Sequence, residues 1–236
     1  MGSDNLYTDE NNIFVDNIVD LIKQKIEKRI KTIHFNIQNN EIIIRNINNL
    51  KSKRTKEIIQ LIKYEINVYM PLNLQNYVIK YKKIINTKGI GAIQGILFPK
   101  KYVSICNLIS ENLKIKKKYL HINFDILQKL MDLNVVDLQQ SGDDKVTIIE
   151  NRQEDLVINT VFNKKIIESY VIDKFNSQSS INKFTPKNTY YYGINDNFIK
   201  SFQIQKLDIK NKLIFNNNEE VLDVTLTYLP AWGMII

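Results

Sequence analysis

Apolar residues at Phe14, Ile18, Leu21, Ile22, Ile26 and Ile30 recur at helical spacing. They predict an amphipathic helix of about four turns, preceded by a polar, loose stretch over residues 4–12. Thr32–Ile37 alternates apolar and polar positions and predicts a strand, Asn39-Asn40 interrupts it, and Glu41–Ile47 predicts the next strand. A basic linker then leads to a helix with Ile58, Ile59, Ile62, Ile66 and Met70 on one side. That helix ends at Pro71, because proline has no N–H to offer and pushes the residue before it out of the helical region. Strands are predicted at Tyr77–Ile85 and Ala92–Phe98, joined by a turn at Thr87-Lys88-Gly89. Pro99 then opens a helix carrying Val103, Cys106, Leu108, Ile109 and Leu113, followed by a strand at Tyr119–Asn123 and a short helix at Asp125–Leu133.

From residue 144 the period changes. Lys145–Glu150, Leu156–Phe162 and Lys165–Ile172 read as strands, and turns at Arg152–Glu154 and Asn163-Lys164 fold them into a meander. Phe175–Asn188 reads as loop. Tyr190–Gly193, Gln203–Ile209 and Leu213-Ile214 read as strands, with a short helix near Asn195–Ser201 and an apolar end at Val221–Ile236. Alternating strands and helices followed by a run of strands predict an α/β or α+β domain with mixed sheets.

Composition narrows this little. The 236 residues are 44% hydrophobic and 25% charged, enough for one large domain or two small ones with a real core. No window reaches the run of about 18 apolar residues that a membrane helix needs. Cys106 is the single cysteine, which excludes an internal disulfide and fits a reducing compartment. Met1-Gly2-Ser3 reads as a cloning remnant. The net charge of +8 raises nucleic acid or an anionic membrane surface as partners. The densest basic cluster, Lys114, Lys116, Lys117 and Lys118, reads first as a solvated loop.

Candidate chemistry is sparse. Two histidines, His34 and His121, on separate strands, and one cysteine make no metal site. Cys106 lies on an apolar helix face, where a buried inert thiol is expected. Gly89, Gly91 and Gly95 lack the lysine, the Ser/Thr and the spacing of a phosphate loop, and read as a turn running into a close-packed strand. Asp143-Asp144 beside Gly142 reads as turn chemistry. Tyr77 and Tyr81 among Lys80, Lys82 and Lys83 fit single-strand nucleic-acid stacking, but a half-buried strand predicts the same alternation.

The phrase Tyr64-Glu65-Ile66-Asn67-Val68-Tyr69-Met70-Pro71-Leu72-Asn73-Leu74-Gln75-Asn76-Tyr77-Val78-Ile79 resembles the helix-to-strand phrase of the PilM family, cytoplasmic actin-like components of the type IV pilus assembly platform. Gln94–Phe98, Pro99–Leu113 and Leu113–Leu130 follow in the family's order, and Val146–Ile172 resembles the strands that open its second lobe. The resemblance covers residues 13–172 best. It implies an actin-like, ribonuclease-H-type lobe at residues 13–143, an inserted subdomain of the FtsA/PilM type at about 41–97, and a reduced second lobe at 144–236.

For activity the departures matter most. The family's first phosphate hairpin would precede residue 13. The second should carry Gly and Ser or Thr between Ile149 and Leu156, where this chain has Glu150-Asn151-Arg152-Gln153-Glu154-Asp155. Carboxylates facing a polyphosphate repel it. The nucleotide site, reduced to Asn151, Arg152, Gln153 and Gly193, therefore reads as degenerate, with no ATP hydrolysis, catalytic residue or cofactor expected. What the resemblance leaves is a cytoplasmic scaffold, peripheral to the inner face of the membrane, that binds the N-terminal segment of a PilN-like membrane protein. Tyr64, Tyr69, Met70, Pro71 and Leu72 are its candidate groove residues. The alternatives are the actin-like domain of a related secretion-system platform protein, an ATP-binding actin-like protein, or a basic nucleic-acid-binding protein.

Overall fold

The computed structural model describes residues 4–26, 30–48, 54–70, 72–85, 91–136, 138, 145–174, 188–208 and 229–235. The Pro71 break, the Thr87-Lys88-Gly89 turn, Asp143-Asp144, residues 175–187 and Leu213-Ile214 lie outside them.

Helix α1 spans Asp4–Lys25, so residues 4–12 are helical rather than the loose stretch that their polarity predicts. The buried face of α1 is carried by Val15 and Val19, while Phe14, Leu21 and Ile26 of the predicted stripe are exposed. β1 (Thr32–Asn36) pairs in parallel with β5 (Lys117–His121) as a two-stranded sheet. Its Ile33 and Phe35 pack with Val15, Val19 and Ile109 of α1 and α3 (Lys100–Asn112).

Between those strands the chain builds a second sheet. β2 (Ile43–Asn48), β3 (Tyr77–Ile85) and β4 (Gly91–Pro99) pair antiparallel in the order β2-β4-β3. Helix α2 (Thr55–Tyr69) covers one face through Ile58, Ile62 and Ile66. Gly95 of β4 lies directly under it: a β-carbon there would meet Ile62 at 3.0 Å, so a side chain would hold helix and sheet apart. That close approach is the reason for a glycine inside a strand. Tyr77, Ile79 and Tyr81 pack against this core, and Lys82 reaches Asp125 at 3.0 Å and lies over the Phe124 ring.

The third sheet has five strands in the order β10-β9-β6-β7-β8. β6 (Val146–Asn151), β7 (Asp155–Phe162) and β8 (Lys165–Asp173) form the meander, and β9 (Thr189–Gly193) and β10 (Gln205–Lys206) join β6 in parallel. The β7–β8 turn is Asn163-Lys164, both residues left-handed (φ 48° and 58°), as a two-residue hairpin matched to strand twist requires. α4 (Asn123–Asp132) packs on this sheet with Phe124, Leu127 and Leu130, joined by Leu229 of α6 (Leu229–Ile235). A short helix α5 (Asn197–Lys200) follows β9. The second and third sheets share a core in which Ile96 and Phe98 meet Val146, Ile148, Val161 and Ile166, and the Gln94 and Asn46 side-chain amides both donate to the Ile167 carbonyl.

Candidate functional site

The carboxyl end of β6 is where the two-stranded and five-stranded sheets meet, and the side chains there are polar and enclosed. Glu150 is buried near the end of β6, directly after Ile148 and Ile149. Arg152 folds back on it, with Nε 3.1 Å from Glu150 Oε1 and Nη2 3.4 Å from Oε2, a side-on fork. The remaining donors of that guanidinium go to the Gln38 carbonyl at 2.8 Å and toward Asp155 at 3.7 Å. Tyr192 of β9 donates its hydroxyl to Glu150 at 3.1 Å, and Asn123 at the start of α4 donates its amide to the same carboxylate. Asn36 of β1 in turn donates to Asn123. Burial, and then Glu150, push the Tyr192 phenol well above its ordinary value. Burial opposes the charge on Arg152, but Glu150 outweighs it and raises the guanidinium further. The result is a closed charge pair held by neutral donors from three elements.

The expected degenerate nucleotide residues are split. Asn151 and Gly193 are register partners in the parallel β6–β9 pair. Gly193 has φ +97°, and a β-carbon there would sit 2.3 Å from the Asn151 carbonyl oxygen, so backbone approaches backbone too closely for any side chain. The Asn151 amide donates to the Ile194 carbonyl and to Asp196 Oδ1 at 3.0 Å. Asp196 also accepts from the Ile199 amide at 3.0 Å, capping α5, and from Lys174 Nζ at 2.7 Å. Lys174 Nζ closes the turn by donating to the Arg152 carbonyl at 2.6 Å. Gln153 is exposed and takes no part except through its carbonyl, 3.5 Å from Lys174 Nζ. Chain reversal around Glu150–Asp155 is thus stabilised by side chains, not by glycine.

Sequence reading missed Gln38, Asn123, Lys174 and Tyr192. The available signal was Glu150 itself, a carboxylate ending an apolar run, which has to find partners when buried.

The groove candidates do not form one surface. Tyr64 and Tyr69 stand out from α2, 66% and 72% exposed. Met70 lines a cleft of about 650 Å³ between the edges of β2 and β8, with Arg45 Nη2 3.9 Å from its sulfur. Leu72 lines another of about 440 Å³, with Tyr77, Glu41, Pro99 and Lys101. Pro71 lies outside the described residues.

His34 and His121, read as separated, are neighbours across β1 and β5, Nδ1 to Nε2 3.0 Å, and their rings are stacked. No group of three His, Cys, Asp or Glu side chains among the described residues is placed to hold a metal ion. Cys106 is buried, which pushes its thiol up to about 11. Among the described residues, no helix is long and apolar enough to cross a membrane.

No known family profile matches the sequence, and no curated protein matches it significantly. Solved structures do. The chain superposes on a structure described as the PilM-PilN type IV pilus biogenesis complex with a TM-score of 0.69 at 11% identity, covering 95% of this chain and 84% of that one. The cytoplasmic domain of EpsL, an inner membrane component of the type II secretion system of Vibrio cholerae, matches with a TM-score of 0.52 at 7% identity over 91% and 79% of the two chains. A Bacteroides thetaiotaomicron protein described as having an actin-like ATPase fold and unknown function matches with a TM-score of 0.48 at 12% identity over 89% and 80%. At such identities the likeness is one of fold. The chain shares the α/β fold of the PilM-PilN structure.

Proposed function

We propose that this PilM-type fold serves as a non-catalytic scaffold of a type IV pilus assembly platform, docking the N-terminal segment of a PilN-like membrane protein. The observation that carries the non-catalytic half is the Glu150–Arg152 pair. The turn where an actin-like ATPase would present phosphate-binding backbone is occupied by the chain's own guanidinium and carboxylate, with Lys174 spent on the carbonyls behind it. A triphosphate would have to displace Arg152 and face Glu150 and Asp155.

The docking half draws on the likeness to a structure described as a complex of PilM with PilN. The groove at Leu72 and Tyr77, between the three-stranded sheet and the start of α3, is the place for an extended segment. The EpsL likeness makes the corresponding domain of a secretion-system platform the second reading, with the same docking logic.

One thermal-unfolding series tests both halves. Mg-ATP leaves the melting temperature unchanged, because no ligand selects the folded state; saturable stabilisation would return the chain to the ATP-binding class. A peptide from the cytoplasmic N-terminus of the bitopic membrane protein encoded alongside raises it. Leu72→Glu abolishes the increase while preserving the fold, and an unchanged increase removes Leu72 from the site.

A further inference from the structure

Parallel pairing of β1 with β5 puts the starts of both strands at one end of the molecule, with Thr32 opposite Lys117. α1 and α3 each run into one of those strands through a short connection, so their carboxyl ends lie at the same end. Lys23 and Lys25 in the last turn of α1, and Lys31 just before β1, come from the first connection, and all are exposed. Lys114, Lys116, Lys117 and Lys118 come from the second and are exposed as well. Only four of these seven lysines are neighbours in sequence; the fold collects the rest.

None of the seven is in a salt bridge among the described residues, while lysines elsewhere are paired with Glu41, Asp125, Asp132 and Asp196. The carboxylates nearest in sequence are Asp20, Glu27 and Glu111, three against seven lysines, which leaves the end positive. Helix carboxyl ends favour cations, and that accounts for Lys23 and Lys25, but Lys117 and Lys118 lie within a strand. The lysines also surround apolar surface. A cleft of about 540 Å³ between the two connections is lined by Ile22, Ile26, Ile30 and Leu113 together with Lys23 and Lys114. Leu21 and Ile26 are 57% and 45% exposed, and Lys114 holds a left-handed backbone (φ 54°) in the turn that presents it.

We propose that this lysine-ringed end is a membrane-contact face that docks on anionic phospholipid headgroups, with Leu21 and Ile26 entering the boundary between headgroups and acyl chains. Clusters of four to eight basic residues are what an anionic bilayer surface attracts. The exposed aliphatics favour lipid over nucleic acid, since a phosphate backbone leaves them in water while a bilayer boundary buries them. The inference stands apart from the docking reading: it concerns the opposite connection of the first sheet and needs no pilus partner.

The test is co-sedimentation of the full chain, with no peptide present, with phosphatidylcholine vesicles containing or lacking one third phosphatidylglycerol. Binding occurs only to the anionic vesicles and falls with added salt. The triple change Lys114→Gln, Lys116→Gln and Lys117→Gln weakens it roughly a hundredfold, each lysine near the surface contributing about a factor of five. The same number of changes on α2 and β3, at Lys56, Lys63 and Lys80, has little effect. Ile26→Ser with Leu21→Ser weakens it several-fold and leaves the melting temperature within the spread of the lysine variants. Three outcomes overturn the proposal: no partition at low salt, equal loss from the control triple, or lysine-dependent binding to duplex DNA that is tighter than to vesicles and indifferent to Leu21 and Ile26.

Discussion

Around Glu150 the chain buries a carboxylate against a guanidinium and surrounds the pair with amide and hydroxyl donors, whereas at the start of β1 and β5 it leaves seven lysines in solvent. Both regions are built where the two-stranded sheet meets its surroundings, at its opposite ends. At the carboxyl end the Glu150 and Arg152 charges are paired with each other, while buried amide atoms of Gln38 and Asn151 beside them have no hydrogen-bond partner among the described residues. At the amino end charge is unsatisfied, so the region is open to an external ion. Function in this fold is therefore read less from which charged residues are present than from whether the chain has already given them partners.

The contrast can be broken first at its closed side. Arg152→Ala leaves Glu150 enclosed without a counter-charge, and losing one partner of a buried pair costs about 3–5 kcal/mol. Urea unfolding should show a correspondingly earlier midpoint with an unchanged slope; a loss below 1 kcal/mol would mean the pair is solvated and the closed-site reading wrong.

A smaller effect is expected at Asp196. Burial raises its carboxyl, but the hydrogen bonds from Lys174, the Ile199 amide and Asn151 lower it more, so the folded value lies below the ordinary 3.8. A folded value below the unfolded one contributes stability above the unfolded value, and that contribution is lost as pH falls through the folded one. Asp196→Asn should lower the melting temperature at neutral pH and flatten its decline on the acid side. A parallel offset at all pH values would assign the effect to the α5 cap alone.

The open side should show almost nothing. Lys117→Gln or Lys118→Gln falls within about 0.5 kcal/mol of the parent in thermal unfolding, since both are exposed and the aromatic contact of Lys117, 5.6 Å from the Tyr119 ring centroid, is a solvent-facing one. A larger loss would mean that these lysines serve the fold and not a surface.

The period-2 and helical patterns located most elements. β3 was legible at both ends because Tyr77–Ile85 alternates cleanly between the α2 core and solvent, and the meander was legible because Asn163-Lys164 is a turn that strand twist demands. The start of α1 was missed because residues 4–12 are mostly polar and show no helical apolar period. The candidate sites were legible only in fragments. Asn151 and Arg152 stood out as the wrong residues for a phosphate turn, but nothing local announces that Tyr192, Asn123 and Gln38 converge on them, since those partners come from chain separations that only β6–β9 pairing and the seating of α4 bring together. Of the candidates at the α2–β3 corner, Tyr64, Tyr69, Met70 and Leu72 lie within nine residues in sequence, yet the first two stand in solvent while Met70 and Leu72 line different clefts.

By itself, the sequence determined the order and type of most elements between Phe14 and Gly193, the buried thiol of Cys106 and the missing phosphate-loop glycines, because each depends on local period or on a residue's own chemistry. Tertiary structure alone decided that Arg152 turns inward to Glu150, that His34 meets His121, and that lysines nearly a hundred residues apart share one end of a sheet. Those outcomes depend on strand register and on which surfaces are desolvated, and a one-dimensional pattern carries neither.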